Sequence, residues 1–435
     1  MIVKCPNCNG ALEYDVITDK MVCAHCRSSF FVGEFQTSEQ KKEANVMPKQ
    51  QEMPQQMVQG MPQQMMQEMS QPLQRMAYQQ PQQQETYMAD EPNDEDMMEC
   101  NMYSCKACGA ELMINNVESS TYCAYCGQPT IVFERVSVQK RPKYIIPFAI
   151  TKEQAVNLIR KRMNEGAFVP SEIKNFEVDV IRGIYIPFYL VDLHYQDEML
   201  IKGKVKSGKN TTTKYYYRKA ETDFYHIPVD ASRKLNDNSS QRLEPYIVSE
   251  AKPFNPQYLS GYYADCSDEK SADLDYKSSV RAKVMFEQEV LKTVSASDKA
   301  IMKNRPHCFV KNKDYAMFPA WFLVFNYMQK HYTIMVNGQT GKVVGAVPYK
   351  KRELWSFLIA MSALLSVIMV PVLYGIFSAM SHDGEGMGDL LSFIVFGCVA
   401  LIGVTSAMIK SYKHSRALSE ETMIKQFVKD RQEGM

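Results

Sequence analysis

Cys5-Pro6-Asn7-Cys8 with Cys23-Ala24-His25-Cys26, and Cys105-Lys106-Ala107-Cys108 with Cys123-Ala124-Tyr125-Cys126, are the stretches that decide the fold. Fourteen residues separate the two halves of each set. A CxxC loop brings two sulfurs onto one ion, and two such loops complete a tetrahedral thiolate site, which suits zinc. The spacing predicts two zinc ribbons. Cys5, Cys8, Cys23 and Cys26 would hold one Zn2+, and Cys105, Cys108, Cys123 and Cys126 a second. With cysteine at all four positions neither site has an open place for a substrate, so both are expected to be structural. An iron–sulfur or redox site is the competing reading, but nothing places either CxxC at the start of a helix in a βαβ unit. His25 is expected as an exposed loop residue and not as a ligand. Asn9-Gly10 and Gly109 supply flexible positions after the inner loops. Apolar runs at 11–12, 30–32, 110–112 and 131–133 read as ribbon strands. Each unit is too small to own a real core, so zinc would supply most of its folding free energy.

The 435 residues are enough for two or three domains. A net charge of +1 gives no sign of a broad nucleic-acid-binding surface. The start, MIVKC, has no apolar stretch behind it, so no secretory signal is expected. Paired cysteines without that signal favour a reducing compartment and metal over disulfides. Cys100 is a spare thiol, and Cys266, Cys308 and Cys398 read as ordinary small residues.

Between the ribbons, 50–84 is a Gln- and Met-rich tract broken by Pro54 and Pro62. Its composition predicts a disordered tether, extended by the acidic run at 90–99, that leaves the ribbons as independent modules. Residues 142–350 read as a folded α+β region. Strands are expected at 144–148, 184–195, 211–218, 222–227 and 243–249. Helices are expected from an N-cap at Thr151 to about Met163, and over 274–293. PFYLVDLHY at 187–195 is echoed by PAWFLVFNY at 319–327, which suggests two related halves. Residues 332–344 read as a hairpin turning through 337–341. GKVKSGK at 203–209 resembles a phosphate loop, but Asn210 stands where that motif needs Ser or Thr, so a basic β-turn is expected. No catalytic motif is present, and a non-enzyme is expected.

Residues 354–380 and 390–409 carry no formal charge and are each long enough to cross a bilayer. Lys350, Lys351 and Arg352 precede the first, Lys410, Lys413 and Arg416 follow the second, and the joining loop carries Asp383, Glu385 and Asp389 with no Lys or Arg. This bias predicts a two-helix hairpin in the cell membrane with both termini cytoplasmic. The expected division is zinc ribbon 1 (1–36), linker (37–99), zinc ribbon 2 (100–138), α+β domain (139–350), transmembrane hairpin in contact with the lipid bilayer (351–414) and cytoplasmic tail (415–435).

CPNC…CAHC, CKAC…CAYC, RGIYIPFYLVD at 182–192 and YTIMVNGQTGKVVG at 332–345 resemble the bacterial membrane proteins labelled TFIIB-type zinc-ribbon-containing. The resemblance covers about two-thirds of the chain, and the doubled ribbon departs from the family's single-ribbon arrangement. It implies a place in an envelope-stress or membrane-associated complex. The expected function is a membrane-anchored zinc-ribbon adaptor with a protein partner. The alternative is a membrane-bound nucleic-acid-binding or regulatory protein, for which Lys4, Lys20, Arg27 and Lys106 are the available positive charges.

Overall fold

The computed structural model describes residues 4–34, 97–114, 122–129, 131–164, 168–175, 181–208, 210–233, 237–328, 330–345 and 347–381, with five more between 406 and 413. The expected linker lies outside the described residues except at 97–99.

Two sheets are present among the described residues. The smaller belongs to the first ribbon: β1 (Leu12–Asp15), β2 (Lys20–Cys23) and β3 (Ser29–Phe31), antiparallel with β2 in the middle. Its burial has the two-residue period of a strand with one face covered. Leu12, Tyr14, Met21 and Cys23 point inward. The second ribbon contributes β4 (Met97–Cys105), β5 (Glu111–Ile114) and β6 (Ile131–Lys140), with β4 between the other two.

The remaining strands are β7 (Tyr144–Ile145), β8 (Ile181–Ser207), β9 (Asn210–Asp230), β10 (Lys252–Pro253), β11 (Tyr263–Asp265), β12 (Ser297–Asn304), β13 (His307–Tyr327), β14 (Lys330–Asn337) and β15 (Val343–Gly345). They join β4–β6 in one sheet whose path runs β10-β7-β13-β8-β11-β5-β4-β6, with β9, β12, β14 and β15 branching from it. β8 is the spine. Its first half lies between β13 and β11, and its second half between β12 and β9. The turn at Gly208, with φ +60°, closes the β8–β9 hairpin, so the segment resembling a phosphate loop is a hairpin end.

Helices α1 (Lys152–Asn164), α2 (Ser171–Lys174), α3 (Asp237–Leu243) and α4 (Ser271–Lys292) accompany the sheet. Thr151 and Gln154 cap α1 reciprocally. Thr151 Oγ1 accepts from Gln154 N at 3.2 Å, and Gln154 Oε1 accepts from Thr151 N at 2.9 Å. The expected strand at 243–249 is replaced by the end of α3 and a tight turn at Val248–Glu250. Pro245 has no N–H to give a ladder, and Glu244 is drawn inward to a buried two-pronged pair with Arg281, at 2.8 and 2.6 Å.

The ribbons are not independent modules. β5 pairs antiparallel with β11, Leu112 opposite Asp265 and Ile114 opposite Tyr263, so the second ribbon continues the main sheet. The first ribbon docks through Tyr14, whose ring meets Tyr258 edge-on at 5.0 Å. Gly33 N donates to Gln257 Oε1 at 2.8 Å, and Lys252 pairs with Asp19 at 2.7 Å. A three-stranded ribbon leaves an apolar face uncovered, and packing against the rest of the chain buries it.

Helix α5 (Lys351–Ser381) occupies the first of the two apolar segments, and the second, 390–409, lies almost wholly outside the described residues. The transmembrane hairpin is corrected here: among the described residues no helix is long and apolar enough to cross a membrane. Helix α5 opens on Lys351, Arg352 and Glu353, a charged first turn. The contact with the lipid bilayer, the cell-membrane location and the cytoplasmic placement of both termini depended on the paired spans and fall with them.

Candidate metal centres

Each CxxC loop folds by the same backbone device. The first cysteine's N–H donates to the carbonyl five residues on, and the N–H of the residue after the second cysteine donates back to the first cysteine's carbonyl. The bonds are Cys5–Gly10 and Asn9–Cys5 at 2.7 and 2.8 Å, and Cys23–Ser28 and Arg27–Cys23 at 2.9 Å each. In the second ribbon they are Cys105–Ala110 and Gly109–Cys105 at 2.8 and 2.7 Å, and Cys123–Gln128 and Gly127–Cys123 at 2.9 and 2.8 Å. The loop reverses through a left-handed residue: Asn9 (φ 61°), Arg27 (φ 59°), Gly109 (φ 67°) and Gly127 (φ 71°). Gly and Asn accept this conformation readily and Arg does so at a cost. The flexible positions expected at Asn9 and Gly109 are therefore used for turning the chain. Gly127 and Arg27 complete the pattern.

These turns bring all eight predicted cysteines into two clusters, Cys5, Cys8, Cys23 and Cys26, and Cys105, Cys108, Cys123 and Cys126. Within each cluster the sulfurs lie within 4.8 Å of one another. Cys5–Cys26 and Cys8–Cys23 are 3.5 Å apart, Cys105–Cys126 is 3.6 Å and Cys108–Cys123 is 3.7 Å. A tetrahedron with zinc–sulfur bonds of about 2.3 Å has edges of about 3.8 Å, so the sulfurs are spaced for a shared tetrahedral ion. They are far outside bonding distance for a disulfide. His25 is exposed and belongs to neither cluster.

The surroundings differ. All four sulfurs of the second cluster belong to buried residues, whereas Cys26 of the first is exposed and Cys8 half-buried. The Ser28 hydroxyl, 3.2 Å from Cys26 Sγ, and then the Ser28 backbone draw the Cys26 thiol down to about 6. In the second cluster Cys105 foremost, then Cys108 and Cys126, together with burial, hold the Cys123 proton far above its ordinary value. Crowded thiolates repel one another out of water, and a bound cation removes that cost.

Tyr125, inside the last CxxC loop, ties the second cluster to the sheet. Its hydroxyl donates to Asp265 Oδ2 at 2.6 Å, and Ser232 Oγ donates to the same oxygen at 2.6 Å. Burial first, and the Asp265 charge second, push the Tyr125 phenol well above its ordinary value, so it stays a donor. The sequence carried no signal for this link, because Asp265 is far from the cysteines along the chain. Cys100 and Cys266 are both buried, each with its sulfur 3.8 Å from Met102 Sδ, and Cys308 is exposed. Cys398 lies outside the described residues.

The model of the Trm112p-like protein family matches residues 1–34, the first ribbon. A protein of Bacillus subtilis (strain 168), described as uncharacterized protein YdjG, is 28% identical over 258 residues, 56% of this chain and 75% of that protein. No solved structure matches. These likenesses correct the resemblance to membrane-spanning zinc-ribbon proteins: the matching family model covers the first ribbon alone, and no described helix spans a bilayer. The nucleic-acid alternative gains no support either. Of its few positive charges, Lys20 is engaged over the Phe31 ring at 4.7 Å.

Proposed function

We propose that this chain is a protein-binding scaffold braced by two structural zinc ions, one held by Cys5, Cys8, Cys23 and Cys26 and one by Cys105, Cys108, Cys123 and Cys126. The observation that carries the reading is the closed ligand set, four cysteines at each centre with sulfurs at tetrahedral spacing. Zinc bound by four thiolates has no position left for substrate, so it would contribute folding free energy and rigidity. The metals' role is therefore structural and not catalytic. Ile17 and Phe31 stand exposed on the first ribbon, 81% and 66% accessible. A protein partner would gain apolar burial there.

Metal analysis of the purified full-length chain should return two zinc ions per molecule, falling to one in Cys5→Ser/Cys8→Ser and in Cys105→Ser/Cys108→Ser. A partner recovered with the native chain and lost with the first of these variants would support the scaffold. Zinc well below two per chain, or a partner indifferent to both variants, would sink it.

A further inference from the structure

The chain covers its two metal centres differently, and the difference falls on single sulfurs. In the first centre Cys5 and Cys23 are 2% and 0% accessible, whereas Cys26 is exposed. The Gly10 backbone lies close over Cys8 and Cys23, where a Cβ would stand 3.3 and 3.2 Å from their sulfurs. Cys26 has no such cover. Its sulfur lies 3.5 Å from Cys5 Sγ and 3.2 Å from the Ser28 hydroxyl. An accessible thiolate with a second cysteine beside it is the arrangement that reacts with peroxide and resolves to a disulfide. In the second centre all four cysteines are buried.

We propose that the first centre is an oxidative modification site for hydrogen peroxide, with Cys26 the attacking thiolate and Cys5 the resolving one. This rests on the zinc-braced scaffold, since it takes Cys5 and Cys26 as metal-held thiolates. Cys26 Sγ attacks one peroxide oxygen, the O–O bond breaks and hydroxide leaves. Cys5 Sγ then attacks the sulfur of the Cys26 sulfenic acid, the S–O bond breaks, a second hydroxide leaves and the Cys5–Cys26 bond forms. Two protons from solvent turn the hydroxides into water. The two thiolates have given up two electrons and the peroxide has taken them. Cys8 and Cys23 alone remain as ligands, too few for a closed zinc site.

The consequence reaches the rest of the protein. β1, β2 and β3 have four, four and three residues, a ribbon that depends on its metal to fold. Its sheet is separate from the main sheet among the described residues. It is held by Tyr14 on Tyr258, by the Tyr14 N–H donating to the Ser260 carbonyl at 3.3 Å, and by the Gly33–Gln257 and Lys252–Asp19 contacts. Oxidation therefore releases the ribbon that carries the exposed Ile17 and Phe31. The second ribbon, joined to the main sheet through β5 and β11, stays in place.

The test treats the zinc-loaded full-length chain with increasing hydrogen peroxide and then desalts it. Metal analysis, peptide mapping without reduction, and trypsin cleavage after Lys20 in β2 are the three readouts. Peroxide should remove one zinc per chain, link Cys5 to Cys26 and open Lys20 to trypsin, with Cys105, Cys108, Cys123 and Cys126 still reduced. Dithiothreitol with added zinc should restore the lost ion and the resistance to trypsin, which irreversible damage would not allow. A chain that starts with two ions and keeps both, loses them equally, or loses one without a Cys5–Cys26 bridge overturns the proposal and leaves the scaffold reading standing. A chain that starts with fewer than two overturns both.

Discussion

Ile186 lies directly opposite Phe318 across the β8–β13 ladder, and this pair marks a local two-fold axis. Pro187 faces Met317 on one side of it and Pro319 faces Tyr185 on the other. The same relation places the short strands. Tyr144 and Ile145 run parallel to Ala316 and Met317, as Tyr263 and Ala264 run parallel to Ile184 and Tyr185. The two segments that echo each other in sequence are thus neighbours in space.

Phe318, at the axis, belongs to a buried aromatic cluster. Phe318 stacks on Phe188 at 4.5 Å and meets Tyr246 at 4.6 Å, with no accessible surface of its own. Phe318→Ala should cost about 3–5 kcal/mol through lost burial and the cavity left behind. Denaturant unfolding followed by tryptophan fluorescence should show a lower midpoint with an unchanged slope.

Exposure should set the order of metal loss. The first centre includes the exposed Cys26 and half-buried Cys8, while all four cysteines of the second are buried. A coloured chelator added to the zinc-loaded chain should remove one ion in a fast phase and the other in a slow phase. Cys5→Ser/Cys8→Ser should abolish the fast phase alone. Equal rates would contradict the structural difference.

The Tyr125–Asp265 bond is a strut between metal centre and sheet. Tyr125→Phe keeps the ring contact with Phe322, at 5.7 Å, and removes one donor from a buried carboxylate. The expected loss is about 1–3 kcal/mol, read as a lower melting temperature with zinc still at two per chain. Zinc loss in this variant would mean that Tyr125 supports the ligands themselves.

Arg281 and Glu244 are 11% and 5% accessible and joined by two hydrogen bonds. Arg281→Met leaves the Glu244 charge buried without its main counterion and should cost about 3–5 kcal/mol, whereas Arg281→Met/Glu244→Leu should recover most of that loss. Chemical unfolding of the three chains measures the difference.

The two cysteine clusters, the α1 cap at Thr151 and the hairpins closing at Gly208 and near Gly341 were legible in the sequence. Each depends on residues close along the chain, where a turn geometry or a ligand spacing is written locally. It also misled locally. The extended look of 243–249 gave way to the Glu244–Arg281 pair, and the paired membrane spans read from 354–380 and 390–409 were not upheld. Long-range packing alone made the second ribbon a continuation of the main sheet, where β5 meets β11, and docked the first ribbon through Tyr14 against Tyr258. It alone linked Tyr125 to Asp265 and, among the described residues, gave β6 a single sheet neighbour, β4. A strand's alternation tells which side chains share a face, but which neighbour covers that face is settled by the packing of the whole chain.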